Sequence, residues 1–172
     1  MKIFLIGFMG AGKSTIGKFS ARHNALEFLD LDTYIEQREG LEIREIFRLQ
    51  GEDHFREIER MALDEVIALE QDLLISCGGG TPCYFDNMAR LNAAGVSLYL
   101  DLSSARLTDR LRRSKSKRPL LQSIEGDLQH FVHKKLMQRA GFYGQAHIII
   151  PEDKANKHDV SAWIGRILNA EV

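Results

Sequence analysis

Gly7-Phe8-Met9-Gly10-Ala11-Gly12-Lys13-Ser14 spells the pattern G-x-x-x-x-G-K-[ST] in full, with Thr15 directly after it. An apolar, strand-length run precedes the pattern and a helix-compatible stretch follows, which is the context in which such a loop wraps phosphate. The chemistry explains the spacing. Gly10 and Gly12 let consecutive backbone N–H groups, that of Ala11 among them, converge on phosphate oxygens, and the helix start adds the positive end of its dipole. Lys13 has the reach for the β- and γ-phosphates, and the Ser14 hydroxyl is a hard oxygen donor suited to Mg²⁺.

Four further groupings could act beside that loop. Asp30 and Asp32 stand two apart at the end of an apolar run; one could support a hydrated Mg²⁺, the other could bind an acceptor hydroxyl and take its proton. The plainer alternative makes Asp32 a helix cap and Asp30 a solvated turn residue. Gly78, Gly79 and Gly80 end another apolar run and would let a ligand approach the backbone, or would simply be a turn. Arg56 and Glu59 share one helical face; Arg56 could fork onto a substrate carboxylate with Glu59 orienting it, or the two could be an ordinary surface ion pair. The run Arg112-Arg113-Ser114-Lys115-Ser116-Lys117-Arg118-Pro119 is dense in cations. It lacks interleaved aromatics, so a lid over phosphates, at about 112–124, is a better reading than a nucleic-acid patch.

These residues need a scaffold, and the apolar pattern supplies one. Runs at 2–6, 26–29, 73–77, 96–100 and 147–150 have strand length and no polar alternation. Stretches at 14–24, 33–39, 44–50, 52–70, 86–94, 105–113, 127–140 and 159–168 have helical spacing. Strands alternating with helices predict an α/β fold with a parallel sheet covered on both faces, and ligands bind beyond the carboxyl ends of such strands. The phosphate loop, Asp30, Asp32 and the glycine triplet all fall there.

The chain has 172 residues with 23 basic and 24 acidic side chains. That length suits one domain burying roughly 70% of its unfolded surface. A net charge of −1 provides no global field for nucleic acid or an anionic membrane. No apolar run approaches the roughly 20 residues of a membrane span. Cys77 and Cys83, with no signal-peptide layout ahead of them, predict free thiols and a cytoplasmic location; neither has a partner at zinc-ligand spacing. A nucleotide-dependent switch protein is the alternative from another class, because Asn156-Lys157-His158-Asp159 fits N-K-x-D. No D-x-x-G occurs in the chain and 151–155 separates the tetrad from its strand, so a polar loop capped by Asn156 or Asp159 explains it better.

Taken together the motifs resemble shikimate kinase. The resemblance runs from residue 3 to about 150 through the phosphate loop, Phe28-Leu29-Asp30-Leu31-Asp32, Gly51-Glu52-Asp53-His54-Phe55-Arg56-Glu57-Ile58-Glu59, the glycine triplet, Arg118-Pro119-Leu120-Leu121, and Arg139 with Tyr143. It implies a P-loop kinase fold of the nucleoside-monophosphate-kinase type: a five-stranded parallel sheet with helices on both faces and a substrate-binding helical segment at about 33–61. It also implies a monomer that moves a phosphoryl group from ATP to the 3-hydroxyl of shikimate with Mg²⁺. By the same resemblance, residues 10–15 and Arg118 bind nucleotide, and Lys13, Asp32 and Arg118 are catalytic. Ser14 and Asp30 serve the metal, while Asp32, Arg56, Gly78, Gly79, Gly80 and Arg139 bind shikimate. Arg110, Arg112, Arg113 and Lys154 compete for the adenine side. A gluconate kinase is the runner-up, and Ala140-Gly141-Phe142 departs from the proline usual after Arg139.

Overall fold

The computed structural model describes residues 1–113 and 127–170. Its sheet has five parallel strands: β1 (Lys2–Ile6), β2 (Glu27–Asp30), β3 (Leu73–Ser76), β4 (Val96–Asp101) and β5 (Ile148–Pro151), in the order β2-β3-β1-β4-β5. β1 is central, and alternate side chains of it enter different layers. Ile3 and Leu5 pack with α1 (Lys13–His23), α5 (Ser104–Arg113), α6 (Leu128–Tyr143) and α7 (Lys157–Asn169). Phe4 and Ile6 pack with α2 (Leu31–Glu39), α3 (Ile43–Ala68) and α4 (Asn87–Ala94). All four side chains are fully buried, so the absence of polar alternation reports a strand covered on both faces.

The two helices expected at 44–50 and 52–70 are one element with a break at Gly51, whose φ of 83° lies outside the helical region. Glycine takes that conformation without a Cβ penalty, and in the stretch after the break Arg56 and Glu59 are buried. α6 runs unbroken through Ala140-Gly141-Phe142 to Tyr143, so the missing proline costs the helix nothing. Asn156 caps α7 by accepting from the N–H groups of His158 and Asp159, as the cap reading of that tetrad expected. Among the described residues no helix is long and apolar enough to cross a membrane. Residues 114–124 of the expected lid, Arg118 included, lie outside the described residues.

Candidate active site

The carboxyl ends of β1, β2 and β3 open onto a cavity of about 260 Å³, bounded by Gly10, Gly12, Lys13, Ser14, Thr15, Asp30, Asp32, Ser76, Gly78 and Gly79. The sheet register accounts for the assembly: Asp30 lies beside Ser76, and Ser76 beside Leu5, one residue before the end of β1. The phosphate loop leaves β1 and enters α1 through Gly12, whose φ of 96° is open to glycine at little cost. Lys13 folds back over its own loop, its Nζ donating to the carbonyls of Gly7 at 2.8 Å and Phe8 at 3.1 Å. A ligand phosphate entering this loop would meet the ammonium group there.

The two aspartates divide their tasks differently from the plain reading of the sequence. Asp30, not Asp32, caps α2: its Oδ1 accepts from the N–H of Asp32 at 3.2 Å and Thr33 at 3.5 Å. Its other oxygen, Oδ2, accepts from the Ser14 hydroxyl at 2.6 Å, and the Ser76 hydroxyl is 3.4 Å from that of Ser14. These are hard oxygen donors and few in number. Among the described residues no group of three or more His, Cys, Asp or Glu is placed to hold a metal. Such a set does not suit zinc; it fits Mg²⁺, which keeps water and phosphate oxygens around itself and takes one or two protein ligands. Asp32 is thereby free of capping and points into the cavity. Burial first, then the neighbouring Asp30 carboxylate, push its pKa up to about 6, against the opposing pull of Lys13.

The glycine triplet is a matter of space. A Cβ on Gly78 would come 2.8 Å from Asp32 Oδ1 and 3.0 Å from Glu59 Oε1. One on Gly80 would come 2.7 Å from Arg56 Nη1. The carbonyl of Gly79 accepts from Arg139 Nη1 at 3.2 Å and from the Tyr143 hydroxyl at 2.5 Å. Asp32, Arg56 and Arg139 therefore converge on three consecutive residues. Arg56 is 8% exposed, and its guanidinium carbon lies 4.1 Å from the centre of the Tyr84 ring. Its Nη1 donates to Glu59 at 2.8 Å, and its Nε and Nη2 donate to Glu52 at 3.3 and 2.9 Å. The ion pair of Arg56 and Glu59 is present but is not at the surface, the alternative the sequence left open: Glu59 is 1% exposed and is held in turn by the Thr81 hydroxyl at 2.5 Å.

On the other side of the loop, a wider cleft is lined by Gly12, Arg106, Arg110, Glu152, Asp153 and Asn156, among others. Of the four candidates for the adenine side, Arg110 stands in this cleft, its Nη1 donating to the Ala11 carbonyl at 2.8 Å. Arg112 and Arg113 are exposed, Arg113 paired with Asp109, and Lys154 is exposed in the turn Glu152–Lys154 outside the cleft lining. The sequence reading missed Ser76, Thr81, Tyr84 and the hold of Glu52 on Arg56. Ser76, Thr81 and Tyr84 act across the fold, whereas Glu52 stands four residues before Arg56 on one helix and carried a local signal in that spacing.

A model of the shikimate kinase family matches residues 9–169. A shikimate kinase of Parabacteroides distasonis is 44% identical over 172 residues, covering 97% of this chain and 99% of its own. The crystal structure of the shikimate kinase of Bacteroides thetaiotaomicron is similar with a TM-score of 0.87 at 41% identity, over 99% of this chain and 97% of that one. That of Acinetobacter baumannii, solved in complex with shikimate, gives 0.87 at 32% identity over 99% and 93%. A gluconokinase of Sinorhizobium meliloti shares the fold alone, at 16% identity and a TM-score of 0.65. With the family's motifs assembled around one cavity and likeness along nearly the whole chain, the protein belongs to the shikimate kinase family.

Proposed function

We propose that the enzyme transfers the γ-phosphoryl group of ATP to the 3-hydroxyl of shikimate, giving shikimate 3-phosphate. The observation that carries this reading is the convergence of Asp32, Arg56 and Arg139 on the glycine triplet, next to the phosphate loop. Two guanidinium groups beside a carboxylate suit an acceptor that bears a carboxylate at one end and hydroxyls at the other. Asp32 accepts the hydrogen bond of the reacting hydroxyl and is the candidate base; its raised pKa lets it hold a proton near neutral pH. Residues 10–15 cradle the phosphates, and Lys13 offsets charge that grows on the transferring group. Ser14 would hold Mg²⁺, with Asp30 supporting it, and the ion would supply neutralisation of the phosphate charge. Arg110 is assigned to the adenine side. Arg118, by resemblance, completes the phosphate side. The chain is taken to act as a monomer in the cytoplasm.

A coupled assay of ADP release against shikimate, quinate and gluconate tests the reading. Turnover should depend on acceptor and on Mg²⁺ and be fastest with shikimate. Equal rates with gluconate, or ADP release without any acceptor, would overturn it.

A further inference from the structure

All three nitrogens of the Arg56 guanidinium are already engaged by carboxylates of the protein, Glu59 on Nη1 and Glu52 on Nε and Nη2. Its face is covered by Tyr84, whose hydroxyl also donates to Glu52 at 2.7 Å. A substrate carboxylate arriving here would be the third anion on one cation. Arginine has five N–H donors and three are engaged here, but an acid that forks onto the Nε–Nη2 edge must displace Glu52, and the two residents are unequal. The Glu59 side chain is 1% exposed and tied to Thr81, whereas the Glu52 side chain is 51% exposed. Glu52 also directly follows the helix break at Gly51, so no rigid turn precedes it. Tyr84 and Arg56 hold its carboxyl below the usual carboxylate range, so it is anionic at neutral pH.

We propose that Glu52 is a displaceable stand-in for the substrate carboxylate: it holds the Arg56 fork in shape while the site is empty and swings to solvent when an acid binds. The inference rests on Arg56 being the carboxylate clamp. Its consequence is that Glu52 weakens acceptor binding by competing for the fork, and that it does so only for acceptors carrying a carboxylate. It thus sets affinity for the acid without touching the reacting hydroxyl.

The test compares Glu52→Gln and Tyr84→Phe with the unaltered enzyme, using shikimate and an analogue in which the carboxylate is replaced by a hydroxymethyl group. Glu52→Gln keeps the shape and removes the charge, so KM for shikimate should fall about 3- to 10-fold, and KM should move more than kcat. KM for the uncharged analogue should stay in place. Tyr84→Phe keeps the ring on Arg56 but frees Glu52 from one hold; it should shift KM for shikimate in the same direction by about twofold. An unchanged or higher KM for shikimate in Glu52→Gln, or an equal change for both acceptors, would overturn the proposal. Arg56→Lys assayed alongside separates the two readings. If it leaves the preference for the acid intact, the clamp assignment fails and the stand-in falls with it. If that preference is lost while Glu52→Gln lowers no KM, the stand-in alone is wrong.

Discussion

At Arg56 the structure changes what a substitution would report. Arg56→Ala removes a charge-assisted, forked contact worth on the order of 2–4 kcal/mol, roughly a 30- to 1,000-fold loss in kcat/KM. It also strands Glu59, 1% exposed, and an unpaired buried carboxylate destabilises the fold on its own account. Arg56→Lys is the cleaner variant, because it keeps a cation near Glu59 and loses the fork. We expect it to lower kcat/KM for shikimate by at least about tenfold while the melting temperature moves little; a near-normal kcat/KM would show that Arg56 is not the clamp. Asp32 makes the opposite trade. Its pKa in the folded, ligand-free site is raised from 3.8 to about 6, so between those values the folded state binds more protons than the unfolded one. Stability therefore falls as pH rises through that window, and the cost persists above it. Asp32→Asn should remove most turnover yet raise stability at pH 7 by about 1–3 kcal/mol, at 1.36 kcal/mol per pKa unit, measured by denaturant melts without metal or nucleotide. At about pH 4 the gain should vanish. A variant no more stable than the parent at pH 7 would mean that Asp32 bears no such strain.

Among the elements, the loop Gly78-Gly79-Gly80 shows where the sequence was readable and where it was not. The five strands and most helices follow from apolar runs; β1, β3 and most of β4 are buried on both faces and so have few polar positions to confuse the pattern, and the partly exposed edge strands β2 and β5 still fall in mostly apolar runs. The Gly51 break was readable too, since glycine interrupted two helical stretches. The choice between Asp30 and Asp32 as cap was not, as both are good caps. It is settled by the end of β2, which puts Asp30 beside Ser76 and leaves Asp32 one helical step further into the cavity. Nor could local pattern join Glu59 to Thr81, 22 residues apart, or Tyr84 to Glu52, 32 apart. Which side chains the triplet makes room for is visible only once the fold brings Asp32, Glu59, Thr81, Arg56 and Arg139 against it. Gly78→Ala places a methyl against Asp32, Glu59 and Thr81 together. Its effect should fall on the acceptor: KM for shikimate rising about tenfold or more with KM for ATP within about twofold. A rise confined to ATP would show that the triplet serves the nucleotide instead.

At the scale of the whole molecule, the central strand joins two binding tasks that the layers keep apart. On the proposed assignment, β1 delivers the phosphate loop, with the nucleotide in the cleft on the α5 and α7 side and the acceptor on the side of α2, α3 and the triplet. Both ligands would then grip the same sheet end, so each should stabilise the entire fold. A ligand at about 100 times its Kd adds about 2.7 kcal/mol. For a chain of this size that is a rise in melting temperature of about 5 to 10 °C, at about 2–4 °C per kcal/mol. The separation of tasks predicts a crossed pattern. Lys13→Met removes the ammonium that caps the phosphate loop, so it should nearly abolish turnover and most of the shift caused by nucleotide, while keeping most of that caused by shikimate. Gly78→Ala should do the reverse. The fold tolerates both changes on different grounds: methionine fills the volume of the lysine stem, and the Gly78 methyl meets the ends of three side chains rather than backbone. Thermal melts of the two variants with each ligand alone decide the matter. If either variant lost both shifts equally without a lower melting temperature of its own, the two halves of the site would be one cooperative unit, and the division drawn at β1 would be wrong.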